Sequence, residues 1–156
     1  MASLALSALP KKAKRAADLF AGLGTLTLPL ASRLAVEAFD SDRRLIDALI
    51  RSNRHAQGLK PVSAVVRDLF RDPLSTRELD RFDAVVFDPP RAGAKAQAEA
   101  LAKSKVPAIV AVSCNPATLG RDLAILVAGG YVVRSVTPID QFLFTPHLEA
   151  VAILSR

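Results

Sequence analysis

AADLFAGLGT, residues 16–25, joins a short apolar run to a glycine-rich turn, and its reading decides the fold. Ala16 to Phe20 reads as a strand that stops at the turn. TLPLASRL, residues 27–34, then reads as a helix, because Pro29 is tolerated only near a first turn, where no backbone donor is needed. LAVEAFD is a second strand ending at Asp40. The stretch from Ser41 to Gly58 has apolar positions at helical spacing, with Ser41 expected as its cap and Gly58 as its stop. VSAVV is a third strand, closing at Arg67 and Asp68.

A short segment without a clear pattern leads to DAVVFDPP, a fourth strand broken by two prolines. AKAQAEALAKS is an Ala-rich helix and PAIVAVSC a fifth strand. Asn115–Pro116 is a good helix start, and ATLGRDLAILVAGG ends on paired glycines. YVVRSVTPID and LEAVAILS follow with no helix between them, so they are expected to pair antiparallel. The alternation predicts an α/β fold: a seven-stranded, mostly parallel, doubly wound sheet with an antiparallel last strand. No repeat or linker divides residues 1–156, and residues 1–15 are read as a lead-in helix or basic segment.

Composition narrows the function classes. With 156 residues the chain can bury a full core, and its apolar runs are too short to span a bilayer. The N-terminus is apolar and then basic, the reverse of a signal peptide, so a cytoplasmic protein is expected. A single cysteine excludes an internal disulfide framework, and the two histidines lack zinc-ligand spacing. Nothing requires a metal, a membrane or an obligatory protein partner. The net charge of +6 favours a polyanionic partner without identifying one.

In an open α/β sheet, ligands bind outside the carboxyl ends of the strands. All five such ends carry polar or special residues: Phe20 to Thr25, Asp40, Asp68, Asp88 to Arg91, and Cys114 to Pro116. Gly22–Leu23–Gly24 lets the chain pass close to a ligand. It lacks the third glycine of a dinucleotide fingerprint, which argues against a pyrophosphate. Asp40 can accept hydrogen bonds from ribose hydroxyls or serve as a helix cap. Asp88–Pro–Pro–Arg91 carries an acid into the cleft, and Arg91 stands where amino-group methyltransferases have an aromatic. Cys114 precedes a helix N-terminus, a setting that favours the nucleophilic thiolate, although a lone Cys is more often a small core residue.

DLFAGLGTLTLPLA, FDPPRAG, VSCNPATLGRD and FTPHLEAVAIL, in this order and spacing, resemble the RNA (uracil-5-)methyltransferase family from Asp18 to Ser155. The resemblance implies a Rossmann-like class I methyltransferase that uses S-adenosyl-L-methionine to methylate carbon 5 of uridine in tRNA or rRNA. It implies Cys114 as the nucleophile that adds to carbon 6, and Glu149 as the base that removes the carbon 5 proton. Phe20, Thr25, Asp40, Asp68 and Asp88 fall on cofactor-contacting positions, with Thr25 standing where the family usually has Asn, and Gly22 joins the cofactor-binding set by its place in the glycine turn. Family members carry RNA-binding segments ahead of this module, so a truncated catalytic domain is expected. Two other readings share the fold: a cofactor-binding module without independent activity, and an amino-group or small-molecule methyltransferase.

Overall fold

Short apolar runs alternating with amphipathic stretches produce one sheet with helices on both faces. A computed structural model of the chain describes residues 1–140 and 148–156. In chain order the elements are α1 (Ala2–Ala8), β1 (Arg15–Leu19), α2 (Thr27–Ala31), β2 (Ala35–Asp40), α3 (Arg43–His55), β3 (Val62–Val66) and α4 (Thr76–Leu79). β4 (Ala84–Phe87), α5 (Lys95–Ala102), β5 (Ala108–Ser113), α6 (Pro116–Ala128), β6 (Val132–Ile139) and β7 (Glu149–Ser155) complete the described residues.

The strands form a seven-stranded sheet in the order β3-β2-β1-β4-β5-β7-β6. β1 to β5 pair in parallel, whereas β7 is antiparallel to both its neighbours. The expected sheet, with its reversed last strand, is therefore observed. β6 and β7 pair from Val132↔Ser155 to Ile139↔Glu149. It is β7, not β6, that lies against β5, from Ala108↔Ser155 to Ser113↔Ala150.

β4 and β5 are buried at every position, as strands covered on both faces should be. One face packs Leu19, Val85, Phe87 and Ile109 against Leu79, Leu101 and Leu126 of α4 to α6. The other packs Val36, Val86 and Val110 against Ala5 and Leu30 of α1 and α2. Each fully buried leucine contributes about 1.5–3 kcal/mol relative to exposure. Among the described residues, no helix is long and apolar enough to cross a membrane.

Local boundaries differ from expectation where side-chain chemistry competes. Asp42, not Ser41, caps α3, its carboxylate accepting from Arg44 N at 2.8 Å. A charged acceptor is the stronger partner for an open backbone N–H. α3 ends at His55, before Gly58, which turns the chain with φ +74°. β1 ends at Leu19, because Phe20 takes a left-handed φ of +62° that no strand continues. The unpatterned segment holds α4, a single turn fixed by a capping box between Ser75 and Glu78.

Candidate active site

The carboxyl ends of β1 to β5 open at one edge of the sheet, and the sequence-chosen residues collect there. Phe20, Gly22 and Thr25 lie in the β1–α2 turn, Asp40 ends β2, and Asp68, Asp88 and Cys114 follow β3, β4 and β5. Glu149 arrives by a different route. The β5–β7 ladder ends on Ser113↔Ala150, one residue before Cys114 and one after Glu149. Only because β7 runs backwards do both emerge at the same end.

The first turn is built from backbone constraints. Phe20 occupies the left-handed region, a conformation that disfavours side chains by about 1–2 kcal/mol and that clusters at functional sites. Gly24 has φ +89°, and a Cβ there would lie 2.4 Å from Leu49 Cδ1, so only glycine lets the turn rest on α3. Gly22 N donates to Asp40 Oδ2 at 2.9 Å, and Asp42 N donates to Oδ1 at 2.9 Å. Asp40 thus ties the turn to β2 and braces the residue that caps α3, while the cap itself is Asp42. A carboxylate has about four acceptor sites, so two remain for a ligand. Thr25 is exposed on the same turn.

Behind the turn lies Asp18, which sequence reasoning missed. It is 1% exposed in the middle of β1. Thr27 Oγ1 donates to its Oδ2 at 2.5 Å, while Oδ1 has no hydrogen-bond partner. Burial, opposed by the Thr27 bond and reinforced by the charges of Asp88 and Asp40, pushes its carboxyl up to about 7. Asp88 is raised to about 6, by burial and then by the charge of Glu149. Glu149 is 5% exposed. The missed signal was an acid inside an apolar run two residues before the turn, since buried charge is too costly to be incidental.

Asp68 behaves differently: its Oδ1 accepts from Phe70 N at 3.0 Å and Arg71 N at 3.3 Å. Its carboxylate shapes its own loop rather than standing open beside Asp40.

Cys114 is half-buried with a free thiol. Asn115 caps the helix that follows it, accepting from Ala117 N at 3.1 Å. The same Asn115 donates from Nδ2 to Arg91 O at 3.1 Å, and Thr118 Oγ1 donates to Arg91 O at 3.2 Å. Asp122, 1% exposed, accepts from Ala94 N at 2.7 Å and from Arg121, whose guanidinium also bonds Ala92 O. Gly93 sits inside this clamp with φ +75°, and a Cβ would lie 2.4 Å from Arg121 Nη2. The loop after Asp88 and the helix after Cys114 are therefore one rigid unit. Asp122 had no distinguishing pattern in the sequence.

Asp18, Asp40, Asp68, Asp88 and Glu149 crowd the carboxyl edge. Concavities of about 290 and 310 Å³ open at the opposite edge, the second lined by Lys14, Arg33 and Lys60. Neither touches the acidic cluster.

The profile of the tRNA (Uracil-5-)-methyltransferase family matches residues 1–156. An uncharacterized RNA methyltransferase of Brucella melitensis is 60% identical over 156 residues, covering 100% of this chain and 37% of that protein. The 23S rRNA (uracil(1939)-C(5))-methyltransferase RlmD of Chromohalobacter salexigens is 40% identical over 148 residues, covering 94% of this chain and 30% of its own. Among solved structures, the tRNA (uracil-54, C5)-methyltransferase of Pyrococcus abyssi, in complex with S-adenosyl-L-homocysteine, superposes with a TM-score of 0.77 at 31% identity. That match covers 98% of this chain and 36% of that one. The chain thus spans about a third of the length of these relatives. On sequence and fold together, it belongs to the tRNA (Uracil-5-)-methyltransferase family.

Proposed function

We propose that this chain is the catalytic module of an enzyme that methylates carbon 5 of uridine in tRNA or rRNA. S-Adenosylmethionine would be the methyl donor and Cys114 the nucleophile. The observation that carries the reading is the emergence of Cys114 and Glu149 at one end of the β5–β7 ladder, beside Asp88.

The residues fit a cationic cofactor. Asp18 carries a buried oxygen without a partner, and its carboxyl and that of Asp88 are pushed up partly by neighbouring negative charge. Positive charge brought among them would relieve that repulsion. Asp40 would accept from ribose hydroxyls, Asp88 and the turn of Phe20, Gly22 and Thr25 would line the amino-acid end, and Asp68 would hold the β3 loop in place. When bound, the cofactor supplies an electrophilic methyl group.

Uracil carbon 5 is a poor nucleophile until a group adds at carbon 6. The Cys114 thiolate forms a bond to carbon 6 and pushes an electron pair into an enolate, which makes carbon 5 nucleophilic. Once carbon 5 is methylated, Glu149 takes its proton. The electron pair left behind restores the carbon 5–carbon 6 double bond and expels the thiolate. Burial of Glu149 suits a proton acceptor shielded from water. The target base must leave its stack to reach Cys114.

RNA carrying 5-fluorouridine tests this, because fluorine at carbon 5 cannot leave as a proton and the adduct persists. A denaturation-resistant protein–RNA band that disappears in Cys114→Ala is expected. Calorimetric binding of S-adenosylhomocysteine without any band would favour a second reading, a cofactor-binding module that does not act on RNA by itself. The chain's third-length coverage of its relatives motivates that alternative.

A further inference from the structure

We propose that Phe70 is the aromatic wall of the adenine subsite, covering the purine of the cofactor above the end of β2. The inference rests on the cofactor reading above and assigns a residue that reading does not use. Phe70 is 50% exposed, a large apolar surface at the rim of an acidic edge. Its ring lies 5.3 Å from that of Phe20, tilted by 52°. Phe20 follows β1 and Phe70 follows β3, and β2 lies between those strands. Neighbouring strands are about 4.8 Å apart, so two phenyl side chains reaching inward from the loops after β1 and β3 are long enough to meet over the strand between them. The ring pair therefore roofs the end of β2, where Asp40 stands ready for ribose hydroxyls.

The loop is built to hold that ring still. Arg67 donates to Asp72 O at 2.8 Å and to Glu78 Oε1 at 2.6 Å. Asp72 N donates to Asp68 O at 2.7 Å, and Asp68 Oδ1 accepts from Phe70 N at 3.0 Å. Five residues of tight turn thus present one half-exposed aromatic face that nothing in the core explains. A flat, weakly polar heteroaromatic held at its ribose by Asp40 is the ligand that such a face suits, because ring stacking needs only a π-face and exclusion of water.

The test uses the 156-residue chain and calorimetry with S-adenosylhomocysteine and with adenosine. Stacking of this kind predicts that Phe70→Ala weakens both ligands by the same factor, about tenfold. Phe70→Leu should lose nearly as much, although it restores bulk, and Phe70→Tyr should lose little. The chain has no tryptophan, so Phe70→Trp introduces a single tryptophan whose selectively excited fluorescence should be quenched by adenosine. Phe70→Ala that binds both ligands within twofold of the parent overturns the proposal. A fall in RNA affinity alone would overturn it too, assigning the ring to a substrate base. A parent chain that binds neither ligand refutes the cofactor reading itself, and the Phe70 assignment with it.

Discussion

Asp18→Asn removes a carboxyl that is 1% exposed, bonded to Thr27 through one oxygen and to nothing through the other. The native carboxyl is raised from 3.8 to about 7, first by burial. Below 3.8 both folded and unfolded chains hold the proton, so the ionisation of the group adds nothing to stability. Between 3.8 and about 7 the native protein keeps a proton that the unfolded chain has lost, and stability falls as pH rises. Above about 7 the native group ionises and the full penalty, roughly 4 kcal/mol, is present. Asparagine does not titrate. Its oxygen can still accept from Thr27, but its amide meets the position where Asp18 Oδ1 has no partner, which costs about 1–3 kcal/mol. The balance at pH 8 is a gain of about 1–3 kcal/mol, and near pH 5 about zero or a small loss. For a domain of this size 2 kcal/mol raises Tm by about 4–8 °C. Urea denaturation at both pH values measures the gap, and calorimetry should show weaker binding of S-adenosylmethionine, as expected when a strained group serves a ligand. A gap that fails to widen from pH 5 to pH 8 would refute the assignment of buried charge to Asp18.

Asp88 is raised to about 6 by burial and then by Glu149, so its charged form prevails only above that pH. Affinity for the sulfonium cofactor should rise between pH 5 and pH 7, and affinity for S-adenosylhomocysteine should rise less. Glu149→Gln removes the neighbouring charge, which should shift that binding transition to lower pH. It should also let an adduct with ordinary uridine RNA build up, visible on a denaturing gel; a variant that turns over normally would exclude Glu149 as the base. Gly93→Ala should lower stability by about 2–4 kcal/mol, combining backbone strain with displacement of the Arg121–Asp122 clamp. Gly58→Ala, at φ +74° but with nothing within 4 Å of its Cβ, should show the strain alone, about 1–2 kcal/mol. Equal melting shifts for the two would remove the clamp from the account.

Much of this protein was legible in the chain itself. Runs such as AVVF and AIVAVS need no partner to be recognised as buried strands, and Asn115–Pro116 marks a helix start by its own backbone chemistry. Strand ends therefore directed attention to Phe20, Asp40, Asp68, Asp88 and Cys114, all of which lie at one edge. Part of the closing motif, at 141–147, lies outside the described residues. What local pattern cannot carry is which strand lies beside which. A hairpin of β6 and β7 is equally consistent with either strand against β5; burial of Val151, Ala152 and Leu154 chose β7, and with it the emergence of Glu149 and Cys114 at one end of the ladder. The cost of the acid at Asp18 is set only when strands on both sides remove its water, and the place of Phe70 only when its ring meets that of Phe20. Periodicity and capping are properties of neighbours in sequence, whereas desolvation and charge repulsion belong to neighbours in space, and those the tertiary structure alone decided.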